Sequence, residues 1–132
     1  MTDASHDGTR SVSLKLRLAF SQGLTLGPGK ADLLERIGET GSISAACRAM
    51  SMSYKRAWTL VEEMNLSFAT PVVEPVRGGA GGGGARLTET GTLVLIHFRQ
   101  LEAATFAAGA EHIEALRRLI RTSDRSDMSG EK

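Results

Sequence analysis

Between Gly41 and Asn65 the chain reads GSISAACRAMSMSYKRAWTLVEEMN, an order of residues that few folds accommodate. Ile43, Ala46, Cys47 and Met50 recur at i, i+3, i+4 and i+7, so they form one face of a short helix. Ser42 stands where an N-cap belongs, and the small residues Ser44, Ala45, Ala46 and Ala49 let a second helix cross closely. Ser51-Met52 makes the turn, and Ser53 or Ser51 caps a second helix that runs to about Ser67. On that second helix Tyr54, Ala57, Trp58, Val61, Met64 and Asn65 share one side, and Lys55, Arg56, Thr59 and Glu63 share the other. The pattern predicts that the single Tyr and the single Trp lie on the buried side, with two adjacent cations exposed at the helix's N-terminal end.

The flanking segments fit around this pair. Val12, Leu14, Leu16, Leu18 and Phe20 alternate with polar or small residues, which predicts a half-buried strand over 12–20. Ser-Gln-Gly and Leu-Gly-Pro-Gly then punctuate the chain before a helix from Gly29 to Thr40, carried by Ala31, Leu33, Leu34 and Ile37. Asp32 and Glu35 are expected on its first turns, where the helix dipole favours carboxylates, and Gly41 is its candidate C-cap. Beyond Pro71, residues 72–77 read as a short strand that Pro75 restricts to a sheet edge or a bulge. Six of the 15 glycines fall within Gly78–Gly84, and Ala85-Arg86-Leu87 returns as the partner strand, so Arg77 and Arg86 bracket a glycine tongue. Thr88 is the candidate cap of a last helix through Leu93, Val94, Leu95, Ile96, Phe98, Leu101 and Ala104 towards Ile120. Unbroken from 89 to 120 it would be about 48 Å long, with Gly109 the candidate interruption. Leu93–Ile96 is apolar all round, which predicts cover on two sides, the second from another subunit.

Composition narrows the function classes. At 132 residues the chain reads as one domain, and no apolar run reaches the roughly 18 residues of a membrane span. The start, MTDASHDGTR, has no apolar core of a secretory signal, so the expected place is the cytoplasm. Cys47 is the sole cysteine and reads as a small buried hydrophobe; His6, His97 and His112 are too dispersed to suggest a metal site. The glycine tongue joins two strands and lacks the Gly-Lys-Ser/Thr that leads a phosphate loop into a helix. No Ser-His-Asp set is suggested, and Glu62-Glu63 reads as a solvated helix face. The expectation is therefore no enzyme, no cofactor and no metal. With 16 basic and 15 acidic residues, net +1, a nucleic-acid partner must rest on where the cations lie.

The order of parts predicts a mainly α fold with a small β-sheet: a winged helix-turn-helix with an N-terminal strand and a long C-terminal dimerisation helix. It would occupy residues 11–121, the dimerisation helix 89–121, with disordered tails at 1–10 and 122–132. In such a fold the N-terminal end of the second helix of the pair enters the major groove. Ser53, Lys55, Arg56 and Thr59 offer donors and acceptors for base edges there, while Arg77, the glycine tongue and Arg86 would hold the flanking backbone.

At these residues the chain resembles a known family. GSISAA, SYKRAW and EMN, followed by the glycine tongue and LTETG, resemble the N-terminal DNA-binding domain of the ModE family of molybdate-responsive transcriptional regulators, over roughly 12–105. The resemblance implies a LysR-like winged helix that dimerises through its first strand and long C-terminal helix and binds palindromic operators in double-stranded DNA. It implies that Ser42 and Ser44 open the first helix of the motif and that Ser53, Tyr54, Lys55 and Arg56 open the recognition helix, with Trp58 as a core anchor. Gly78, Gly79, Gly81, Gly82, Gly83 and Gly84 would form the wing. Two positions depart from the family pattern: Ser51 replaces the glycine of the turn, and Ala80 stands where relatives carry lysine. The resemblance stops before the C-terminal oxyanion-binding domains, so it implies no direct molybdate site on this chain. The competing expectation is a protein-interaction module that pairs with a separate sensor protein and has little DNA binding of its own.

Overall fold

The computed structural model describes residues 12–77 and 83–121. Its backbone divides into two compact units, Lys15–Leu101 and a second formed by the terminal segments, of which 12–14 and 102–121 are described.

Within the larger unit, β1 (Leu18–Ala19) pairs antiparallel with β2 (Thr25–Leu26), Leu18 opposite Leu26. The turn between them closes through Phe20 N–H to Leu24 O at 2.8 Å and Gly23 N–H to Phe20 O at 2.9 Å. Gly23 adopts φ 105°, open to glycine and strained for other residues. The predicted strand over 12–20 is thus only partly a ladder. Half-buried and exposed residues alternate from Val12 to Ala19, but only two residues are paired, because β2 gives way almost at once to a helix.

That helix, α1 (Pro28–Thr40), starts on a proline, whose fixed φ suits the first turn and whose missing N–H is not needed there. Leu33, Leu34 and Ile37 are fully buried along one stripe. Gly41 terminates it in the left-handed region, φ 79°, donating its N–H to Ile37 O at 2.9 Å. The first turn contains no acidic residue, which corrects the expectation for Asp32 and Glu35. Starting at Pro28 moves both carboxylates past the exposed N–H groups, and they face the Arg99 guanidinium instead, at 2.7 Å each.

Two helices follow, α2 (Ile43–Met50) and α3 (Tyr54–Ser67), and then a hairpin of β3 (Val73–Val76) and β4 (Gly84–Leu87). The hairpin pairs Val73 with Leu87, Glu74 with Arg86, Pro75 with Ala85 and Val76 with Gly84. With only two strands, Pro75 lies at an edge, where its missing donor costs nothing. One core unites these parts: Leu33, Leu34 and Ile37 of α1; Ile43, Ala46 and Cys47 of α2; Ala57, Leu60, Val61 and Met64 of α3; and Val72, Val73 and Ala85 of the hairpin. A smaller cluster of Leu26, Ala31 and Phe98 lies beside it.

Helix α4 (Glu89–Ala108) opens with a Thr88 cap, whose hydroxyl accepts from Gly91 N–H at 3.0 Å and donates to Pro71 O at 2.6 Å. Val94 and Leu95 pack on the core, whereas Leu93 and Ile96 are exposed, so two sides of the apolar cluster have different fates. The helix breaks at Gly109, and α5 (Ala110–Leu119) follows. The break is one residue wide: Gly109 N–H still reaches Thr105 O, and Ile113 N–H reaches Gly109 O, both at 2.9 Å. On α5, a hydrogen bond from Arg117, aided by Arg118, holds the Glu114 carboxyl below its ordinary range. No helix among the described residues is long and apolar enough to cross a membrane.

Candidate nucleic-acid interface

The interface is built on the corner between α2 and α3. Ser42 caps α2, its hydroxyl accepting from Ala45 N–H at 2.9 Å. Ser51 adopts φ 54°, and the chain closes through Met52 N–H to Cys47 O at 3.0 Å. A serine therefore holds the left-handed turn position that glycine fills without strain. Cys47 also donates its thiol to Ser53 O at 3.7 Å, tying the two helices across the turn. Of the two candidate caps, Ser53 is the one used: its hydroxyl accepts from Arg56 N–H at 3.0 Å.

Helix α3 presents Tyr54, Lys55, Arg56, Trp58 and Thr59 on its first two turns, all exposed. The placement of Tyr54 and Trp58 on the buried side is corrected: they are 52% and 43% exposed. Ala57, Leu60, Val61 and Met64 fill the space against α1 and α2, and the aromatic rings lie one position outside that stripe. They pack edge to face on each other instead, centroids 6.2 Å apart. Trp58 is thus no core anchor. Thr59 donates its hydroxyl to Lys55 O at 3.0 Å, which leaves its oxygen able to accept.

Two clefts flank these turns. One, of about 440 Å³, is lined by Ser44, Cys47, Arg48, Ser51, Met52 and Tyr54 and brings the first turn of α2 beside that of α3. The other, of about 330 Å³, takes Arg56 together with Arg17, Lys30 and Glu63 beside the start of α1. Lys30 there is buried but satisfied, donating to Thr25 O at 2.7 Å and lying 3.2 Å from Glu63.

In the hairpin, the bases expected at the strand ends also differ. Arg86 donates to Glu74 at 2.8 Å across the ladder, so its charge is largely countered. Arg77 is exposed and has no acidic partner among the described residues. Gly83 is exposed; Gly78, Gly79, Gly81 and Gly82 lie outside the described residues. Gly84 has a local duty of its own, because a Cβ there would come within 2.8 Å of Gly41 O, the acceptor of Ala85 N–H at 2.9 Å.

The distribution of ion pairs explains how a net charge of +1 can leave a positive face. Asp32, Glu35, Glu39, Glu63 and Glu74 each hold a cation. Arg48, Lys55, Arg56 and Arg77 hold no acidic partner among the described residues, and the first three flank the α2–α3 corner. Arg48 and Arg17 were missed from sequence, since a lone cation in a helix or strand pattern gives no signal of the surface it joins.

Two helices meeting at a tight turn, a second helix with an exposed N-terminal end, and a following β-hairpin define a winged helix-turn-helix. The homologues of this chain are ModE regulators and molybdenum-pterin-binding proteins, in agreement with the motif resemblance and consistent with an N-terminal ModE-like domain. It is 46% identical over 81 residues to the molybdenum-pterin-binding protein MopB of Rhodobacter capsulatus, a match covering 61% of this chain and 30% of that protein. It is 36% identical over 88 residues to the molybdenum transport protein ModE of Azotobacter vinelandii, covering 67% and 33%. Against the DNA-binding transcriptional dual regulator ModE of Escherichia coli K12 it is 42% identical over 80 residues, covering 61% and 30%. The chain thus spans about a third of the length of the curated relatives it matches. No protein-family model matches it.

Proposed function

We propose that this chain is a sequence-specific DNA-binding regulator of molybdenum-related genes that acts on a palindromic operator as a homodimer. The observation that carries the reading is the α2–α3 corner, where Lys55, Arg56 and Thr59 are exposed on the first turns of a capped helix and Arg48, with no acidic partner among the described residues, lies on the neighbouring α2. The names of the relatives support regulation of molybdenum genes. In the complex α3 enters the major groove, with Lys55, Arg56, Ser53 and Thr59 towards base edges and Arg77 and the glycine tongue on the flanking backbone. Arg86, held by Glu74, contributes less than Arg77. Two copies would address half-sites about 34 Å apart.

An apolar groove supports the dimer. Leu18, Phe20, Phe68, Leu93, Phe98 and Leu101 are among the lining of an open cleft of about 280 Å³, with Phe20, Leu93 and Leu101 exposed. The same groove is the observation that favours the competing module, since it would equally receive a separate sensor protein. Selection of bound sequences from genomic fragments tests the function. The reading expects a two-fold-symmetric site upstream of molybdate-transport genes, and recovery of no common sequence contradicts it.

A further inference from the structure

The first two turns of α3 carry two large aromatic side chains outside the core. Tyr54 and Trp58 expose about half of their surface each, although both are large enough to stabilise a core strongly when buried. Nor are they loosely placed, since the two rings hold each other edge to face one helical turn apart. Lys55 lies between them in sequence, and Arg48 and Ser44 share a cleft with Tyr54, so the apolar edge is bordered by a hydroxyl and by a cation with no acidic partner among the described residues.

Resting on the DNA-binding reading above, we infer that Trp58 with Tyr54 is a specificity element of the chain, an aromatic edge that takes thymine methyl groups in the major groove. The thymine C5-methyl is the apolar feature that a base pair presents there, and it is recognised by apolar contact rather than by hydrogen bonds. The bordering cation fits a polyanion: Arg48, which shares a cleft with Tyr54, draws phosphate to that side of the edge, which a neutral protein partner would not require. Lys55 and Thr59 then supply the polar part of base reading and the two rings the apolar part. The operator half-site accordingly contains at least one thymine whose methyl group faces the ring pair.

Trp58 is the chain's single tryptophan, so its emission reports on this edge alone. The test uses the whole chain and a duplex that it recovers from a random pool. Binding should shield Trp58 from acrylamide, and replacing the contacted thymine by uracil, which removes only the methyl, should weaken binding about threefold or more. Trp58→Ala should bind the thymine and uracil duplexes alike, and Trp58→Phe should restore part of the discrimination. A retained duplex with unchanged Trp58 emission and quenching overturns the inference while leaving DNA binding intact. So does shielding that develops with protein concentration in the absence of duplex, which would assign the edge to a second copy. Recovery of no duplex at any salt concentration removes the DNA reading and this inference together.

Discussion

The Asn65 side chain, near the end of α3, is bound to the backbone of Val73, the first residue of the hairpin, accepting its N–H at 3.2 Å and donating to its C=O at 3.2 Å. The same Asn65 oxygen accepts Val72 N–H at 2.7 Å. One amide therefore substitutes for a missing strand partner and sets how the hairpin leaves the helix. Asn65→Leu should cost about 2–4 kcal/mol, because it strands part-buried backbone groups, and urea denaturation followed by circular dichroism measures it. Asn65→Asp keeps the acceptor, loses the donor, and should fall between the two.

Glycines on this scaffold differ in what they tolerate. A Cβ on Gly91 would collide with the Val72 carbonyl, so Gly91→Ala should cost more than about 2 kcal/mol. Gly29, early in α1 with open space around it, is the control: Gly29→Ala should be neutral or stabilise by up to about 1 kcal/mol. Equal effects at both sites would refute the close packing of α4 against Val72.

Ser51 keeps its left-handed conformation at a cost. Ser51→Gly should raise stability by up to about 1 kcal/mol, read as a shift of the urea midpoint at constant slope, with duplex binding preserved. A loss of stability would show that the turn does not hold this conformation.

Arg99 joins α4 to α1 through both Asp32 and Glu35. Arg99→Ala should cost about 1 kcal/mol at low salt and less at high salt, since all three groups are partly solvated. Arg99→Lys should recover only a fraction, because an ammonium lacks the two-pronged geometry.

Much of this architecture was legible in the residues. Ser42, Ser53 and Thr88 announced helix starts by hydroxyls that cap within four residues, Gly41 announced a helix end by its freedom to take a left-handed backbone, and all four act as expected. Pro75 announced an edge, and Gly109 a break. What was not legible depends on contacts between distant segments. The helical wheel put Trp58 on the apolar side, but only the positions of α1 and α2 decide that the filled stripe stops at Ala57, Val61 and Met64. Asp32 and Glu35 looked like dipole partners until Arg99, more than sixty positions on, was seen to face them. The same holds for the interface: Lys55 was found by its position in a local motif, while Arg48 became visible only beside Tyr54.

The salt dependence of duplex binding tests most directly whether the exposed cations at the α2–α3 corner hold DNA. Affinity of the whole chain for a selected duplex should fall linearly on a log–log plot against salt. Lys55→Ala and Arg48→Ala should each lower affinity, with the slope reduced by about 0.9 for each phosphate contact removed. A flat salt response, or binding left unchanged by both substitutions, would contradict it.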